Sequence, residues 1–213
     1  MRPFLLVLSS PSGGGKTTIA RAVLAARSDV GYSVSATTRA PRPGERDGHD
    51  YHFLDTAEFE RRVAAGEFLE HATYGGNRYG TLRSEVLRVL ESGRHAVLDI
   101  EVDGARQVKE RMPDAVRVFV LPPSAEVLIQ RLAARETESA EARRRRMTIA
   151  AEELVAAREY DYVVVNDTLE AAVGAVEAIL DAESRRVHRL RDLPERIETM
   201  RRELAEAAAR GAV

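Results

Sequence analysis

The chain reads as a three-layer α/β fold with a parallel central sheet, and two features of its 213 residues carry that reading. Short apolar runs alternate with longer amphipathic stretches, the rhythm of strands buried on both faces and covered by helices. A glycine-rich loop also stands between the first apolar run and the first helical stretch.

Phe4 to Leu8 is the first strand. Its apolar run is too short for a signal-peptide core of roughly 7 to 15 residues, and Ser10 to Lys16 interrupts it at once. Thr17 to Ala26 carries helical spacing. The interval from Ser33 to about Leu90 then breaks the rhythm with Pro41-Arg42-Pro43-Gly44, Asp47-Gly48 and Gly75-Gly76-Asn77. It contains β-like pieces at Tyr51 to Leu54 and Phe68 to Ala72, and reads as an inserted mixed α/β lobe. The rhythm resumes with strands at His95 to Ile100, Val116 to Leu121 and Tyr162 to Val165. Helices are predicted at Val102 to Arg111, Ser124 to Ala134 with Ser124 as N-cap, and Leu169 to Arg186.

Arg135 to Arg146 has charges without an apolar stripe, as a mobile lid would. From Leu190, the positions Leu190, Leu193, Ile197, Met200 and Leu204 form a heptad seam, with Pro194 suited to the first turn. That seam fits a terminal helix packed on its own domain or a short coiled coil forming a homo-oligomer. The expected organisation is a core from 1–32 and 91–186 with a helical lid at about 135–146, a lobe from 33–90, and a helical extension from 187–213.

Composition narrows the chemistry. Lys and Arg total 32 against 34 Asp and Glu, a net charge of −2, so nothing draws the whole molecule to nucleic acid or an anionic membrane. Cysteine is absent, which excludes disulfides, thiolate metal sites and a cysteine nucleophile, and suits a reducing cytoplasm. No stretch approaches the ~20 apolar residues of a membrane span. His49, His52, His71, His95 and His188 show no metal-ligand spacing and read as structural.

Ser10-Pro11-Ser12-Gly13-Gly14-Gly15-Lys16-Thr17, followed by Thr18, matches the phosphate-binding P-loop in all but its first residue, which is Ser10 in place of glycine. Small residues let successive backbone N–H groups converge on phosphates at a helix N-terminus, whose dipole favours negative charge. Lys16 would reach the β- and γ-phosphates, and Thr17 would offer its hydroxyl to Mg²⁺. Asp99 ends an apolar strand at the edge where open α/β sheets gather ligands, so it would orient the metal or its waters. The fold expected is therefore of P-loop NTPase type.

The inserted lobe holds Ser33-Val34-Ser35-Ala36-Thr37-Thr38-Arg39-Ala40-Pro41-Arg42-Pro43-Gly44-Glu45, then Gly48-His49-Asp50-Tyr51-His52-Phe53, Gly66-Glu67-Phe68-Leu69-Glu70 and Gly76-Asn77-Arg78-Tyr79-Gly80-Thr81. These blocks, in this order and spacing, resemble the guanylate kinases, and the similarity continues through Asp99 to Gly104, Arg131 to Arg146 and Val164 to Asp167, roughly the first 180 residues.

The resemblance implies ATP and GMP as substrates, Mg²⁺ as cofactor, and a role for each block. Arg39, Arg42, Tyr51 and Tyr79 match positions that hold the GMP phosphate, which suits forked guanidinium groups. Glu70 matches the guanine reader, whose carboxylate accepts from N1–H and the N2 amino group together, while Ser35 and Thr81 match hydroxyl positions that complete the base site. Glu101 falls in the same set, on a longer stem than the more usual aspartate. Arg131, Arg135 and Arg146 match arginines that close over the triphosphate and the moving phosphoryl group. Asn166 matches the region beside adenine. Glu136 stands where glycine is usual and Arg143 where an apolar residue is common, and both changes fall in the lid.

Two other readings share this outline. A ribose 1,5-bisphosphate phosphokinase would leave Glu70, Ser35 and Thr81 without a base to read. A non-catalytic guanylate-kinase-like module that binds phosphorylated peptides would have a degraded P-loop, whereas Gly15-Lys16-Thr17 is intact.

Overall fold

A computed structural model of the chain describes residues 1–133 and 140–210, the side chains of Ala140, Ala142 and Arg143 apart. Its central strand is β1 (Leu5–Ser9), buried along its whole length between two parallel neighbours. In chain order the core continues with α1 (Lys16–Ala26) and β2 (Val30–Tyr32). The lobe follows as β3 (Ser35–Thr37), β4 (His52–Phe53), α2 (Thr56–Ala64), β5 (Phe68–Tyr74), β6 (Asn77–Leu82) and α3 (Arg83–Glu91). The chain then returns through β7 (His95–Asp99), α4 (Val102–Arg111), β8 (Val116–Leu121), α5 (Ala125–Ala133), α6 (Ala140–Val155), β9 (Tyr162–Val165), α7 (Leu169–Ser184) and α8 (Leu193–Ala209).

The five-stranded sheet has the order β2-β7-β1-β8-β9, all parallel. Alternation along β1 sends Leu6 and Leu8 to one face, against Ile19, Val23, Val176 and Leu180, and Leu5 and Val7 to the other, against Val86, Val89 and Val108. Helices thus cover both faces, and the three-layer parallel fold predicted from the sequence is present. Among the described residues no helix is long and apolar enough to cross a membrane.

The second sheet runs β4-β3-β6-β5. The β5–β6 hairpin turns at Gly75-Gly76, both with positive φ (56° and 78°), the conformation two-residue hairpin turns require. A register shift between Phe68 and Glu70 sets Glu70 opposite Thr81. Phe68 stacks on Phe59 of α2 at 4.5 Å and anchors the small core of this lobe. Helix α4 of the larger layer holds the other side of β5. Arg111 Nη1 donates to the Leu69 carbonyl at 2.6 Å, while the Gln107 amide accepts from His71 N–H and donates to the His71 carbonyl at 3.2 and 3.1 Å.

The structure differs from the sequence reading at short or polar elements. Strands Val30–Tyr32, Ser35–Thr37 and Asn77–Leu82 were not predicted, because three residues or a Gly-containing polar run give no readable alternation. From Ala140 the segment expected as a helical lid is helix, continuous to Val155, nine residues past its expected end. The predicted Ser124 cap is present, its hydroxyl accepting from Val127 N–H at 3.2 Å. Pro194 lies in the first turn of α8, which buries none of its own residues.

Candidate functional site

The loop between β1 and α1 is shaped by two glycines with φ of 83° and 97°, Gly13 and Gly15. A Cβ on Gly15 would lie 2.3 Å from the Asn166 side-chain nitrogen, so only glycine fits. Asn166 donates to the Gly14 carbonyl at 2.8 Å, and Arg131 spans the Gly14 and Asn166 carbonyls at 3.4 and 3.3 Å. Arg131 and Asn166 therefore brace the loop. With Gly13, Gly15, Thr18 and Leu169 they line a cleft of about 350 Å³. Ser10 is buried and donates to the Pro11 carbonyl at 2.9 Å.

Helix α6 reaches the same loop twice at one residue. Arg146 donates to the Ser12 hydroxyl at 2.9 Å, and the Glu153 carboxylate accepts from Ser12 N–H at 3.1 Å. Burial pushes the Glu153 carboxyl up, opposed by that N–H. Arg135 and Glu136 lie outside the described residues, as does the side chain of Arg143.

At the opposite rim of the loop, Thr17 donates to Asp99 Oδ2 at 2.6 Å and Tyr32 donates to Asp99 Oδ1 at 3.1 Å. These donors are hard oxygens, the kind Mg²⁺ takes when it keeps several waters and binds phosphate. Among the described residues no group of three or more His, Asp or Glu side chains could hold a metal. Lys16 pairs with Glu101 at 2.7 Å. Glu101, expected in the base-reading set, lies against the loop lysine at the start of α4 and within electrostatic reach of Glu70.

Across from the loop, Arg39 gives one guanidinium nitrogen to both oxygens of Glu45 at 2.8 and 3.0 Å, and lies over the Tyr51 ring at 5.4 Å. Glu45 also accepts from Arg42 N–H at 2.7 Å, leaving the Arg42 side chain exposed. The Arg39 guanidinium holds the Glu45 carboxyl below its usual range. Tyr51 and Tyr79 meet edge to face at 6.1 Å. Burial raises the Tyr51 phenol, with the neighbouring Tyr79 and the Asp99 charge adding to it and Arg39 opposing. The tyrosine thus lies within electrostatic reach of both halves of the site.

Glu70, 6% exposed, accepts from the Thr81 hydroxyl at 2.6 Å. Burial pushes its carboxyl up, and Thr81 only partly offsets this. Gly104 of α4 packs on that carboxylate, where a Cβ would come within 2.9 Å of Oε2. Ser35 pairs opposite Thr81 across the β3–β6 ladder. Sequence reasoning missed Tyr32, Glu45, Gly104, Gln107 and Glu153. Only Gly104 carried a signal, as a glycine inside a helical stretch.

A strand–loop–helix phosphate cradle with a hydroxyl–carboxylate pair at its rim, facing an arginine–tyrosine cluster and a buried carboxylate, defines a P-loop nucleotide kinase. Residues 2–183 match the family model described as guanylate kinase. A guanylate kinase of Symbiobacterium thermophilum is 53% identical over 185 residues, covering 87% of this chain and 88% of its own, and one of Gloeobacter violaceus is 54% identical over 176 residues, covering 83% and 86%. The crystal structure of guanylate kinase from Anaplasma phagocytophilum matches with a TM-score of 0.72 at 36% identity, over 92% of this chain and 94% of that one. The chain belongs to the guanylate kinase family.

Proposed function

We propose that the protein transfers the γ-phosphoryl group of ATP to GMP, and to dGMP, giving ADP and GDP or dGDP. The observation that carries this is the buried Glu70–Thr81 pair beside an intact phosphate loop. A ribose bisphosphate lacks the adjacent N–H donor pair that Glu70 suits, and a peptide-binding module has no use for the Thr17–Asp99 pair.

Loop N–H groups from Ser12 to Thr18, with Lys16 exchanging Glu101 and Ser12 N–H exchanging Glu153 for phosphate oxygens, hold the triphosphate. The cleft at Arg131 and Asn166 takes the adenosine side. Arg39, Arg42, Tyr51 and Tyr79 hold the acceptor phosphate, and Glu70, Thr81 and Ser35 read guanine. Thr17 and Asp99 would hold Mg²⁺, which when bound supplies positive charge that neutralises bridging phosphate oxygens. The acceptor phosphate is already ionised, so no general base is required. Its oxygen forms the new P–O bond in line as the β–γ bridging bond breaks, and that electron pair leaves with ADP. Arg146, with Arg135, supplies charge over the transferring group. Alignment and exclusion of water then account for catalysis.

The residues divide into a core from 1–32 and 91–186 with its lid at about 135–146, an acceptor lobe from 33–90, and an extension from 187–213. ADP formation from MgATP is measured with GMP, AMP, UMP and ribose 1,5-bisphosphate offered separately, beside a Glu70→Gln variant. Selectivity for GMP that the variant loses is expected. Turnover of ribose bisphosphate alone, or ATP binding without turnover of any acceptor, would overturn the reading.

A further inference from the structure

Helix α8 leaves the body of the protein with its apolar stripe uncovered. Exposure rises outward along it, from 48% at Ile197 to 54% at Met200 and 68% at Leu204, and the helix buries none of its residues. These three and the half-buried Leu193 alternate in steps of four and three, the spacing of a coiled-coil seam rather than of a broad core-facing face. With Leu193 and Met200 at d and Ile197 and Leu204 at a, the flanking g positions hold Arg196 and Glu203, and the e position holds Arg201.

Those charges decide what covers the stripe. In a parallel pair, each g residue faces the following e residue of the other helix, which sets Arg196 against Arg201 twice. In an antiparallel pair, g faces g. Pairing Ile197 with Met200 and Leu193 with Leu204 then places Arg196 of each copy beside Glu203 of the other, twice by symmetry. Arg201 meets Pro194 there and keeps its own Glu198, 3.1 Å away. Sliding the antiparallel pair one heptad either way brings Arg196 against Arg210 and Glu203 against Glu203, or Arg196 against Arg196. One orientation and one register are free of like-charge contacts.

We propose that α8 pairs with α8 of a second copy of this chain as an antiparallel coiled coil centred between Glu198 and Thr199. Seventeen residues span about 25 Å, so the interface is at the small end of specific interfaces and the dimer dissociates in the micromolar range.

Sedimentation equilibrium on the full chain tests this with Arg196→Glu, Glu203→Arg and the double reversal. Each single reversal is expected to weaken the dimer about tenfold, since two attractive pairs become repulsive, and the double reversal restores it. Both sites are exposed, so folding is not at stake, and phosphoryl transfer per protomer serves as a check. The chain has no cysteine, so mixing Ile197→Cys with Met200→Cys gives a second readout: a mixed disulfide is expected in preference to either symmetric one. Tightening by Arg196→Glu would show a parallel pair. That result, a dimer indifferent to both reversals, or a monomer up to millimolar concentration would overturn the proposal.

Discussion

The hydroxyl of Thr81 lies 2.6 Å from Glu70 Oε1, and the Thr81 backbone N–H also favours the charge of this carboxylate, which the fold otherwise removes from water. The hydrogen bonds from Thr81 do not compensate the burial of the charge, which is why the Glu70 carboxyl is raised. The unmet acceptor capacity is what a ligand with paired N–H donors can use.

Replacing Glu70 by Gln removes that charge while keeping an acceptor for Thr81. GMP kcat/KM should fall by about 10²- to 10³-fold, because an amide cannot accept from both donors. The ligand-free protein should melt higher at neutral pH. A raised carboxyl favours the fold below its unfolded value, and that contribution is lost as pH rises through the folded value, so ionised Glu70 costs stability near neutrality. Unchanged GMP kinetics with normal folding would refute the role; calorimetry from mildly acid to neutral pH reads the second effect.

Gly104→Ala tests the same carboxylate from the other side. Alanine gains about 1 kcal/mol of helix propensity, but its Cβ would lie 2.9 Å from Glu70 Oε2. The carboxylate must move, so KM for GMP should rise about tenfold or more while KM for ATP stays put. Equal changes in both constants would point to general distortion instead.

At Gly15 the backbone and the neighbour both forbid a side chain. Gly15→Ala should cost at least about 2 kcal/mol, from the left-handed conformation and from displacing Asn166. Urea unfolding reports the first loss, and weakened ATP binding by titration calorimetry the second. A variant as stable as the parent would show that the loop relaxes freely.

Far from the phosphate loop, Glu183 and Arg189 are 2% and 3% exposed and lie 3.4 Å apart, with Tyr162 donating to Glu183 at 2.6 Å and Arg189 over the Phe4 ring at 4.4 Å. Arg189→Ala should cost about 3 to 5 kcal/mol, since it strips a buried carboxylate of a partner. Burial alone would push the Glu183 carboxyl up, yet Tyr162, Arg186 and Arg189 hold it below its usual range. Its contribution is therefore present above the unfolded carboxyl value and lost as pH falls through the folded one. Glu183→Gln should flatten the acid limb of stability against pH, and an unaltered limb would exclude this carboxylate as its source.

What the sequence displayed follows from how each contact is encoded. The phosphate loop was legible because Gly13 to Thr17 is contiguous, and Asp99 because it ends a five-residue strand. Val102–Arg111 matched its predicted bounds because helical spacing persists over ten residues. Val30–Tyr32 and Ser35–Thr37, at three residues each, offer no period to read. Glu153 and Tyr32 act across the fold, 141 residues from Ser12 and 67 from Asp99 along the chain, and nothing local marks either one. Glu101 pairs with Lys16 and also acts on the field at Glu70, two relations that no local pattern displays.

The stretch from Asp99 to Arg111 touches the phosphate loop at one end and grips β5, the strand of Glu70, at the other. A helix neither stretches nor compresses appreciably, so the separation of the phosphate loop from β5 along this stretch is written into the chain as a fixed count of residues. One residue inserted within α4 would rotate everything beyond it by about 100°, turning Gln107 and Arg111 away from β5. The sequence here works as a ruler, and its tolerance to substitution should far exceed its tolerance to a change in length.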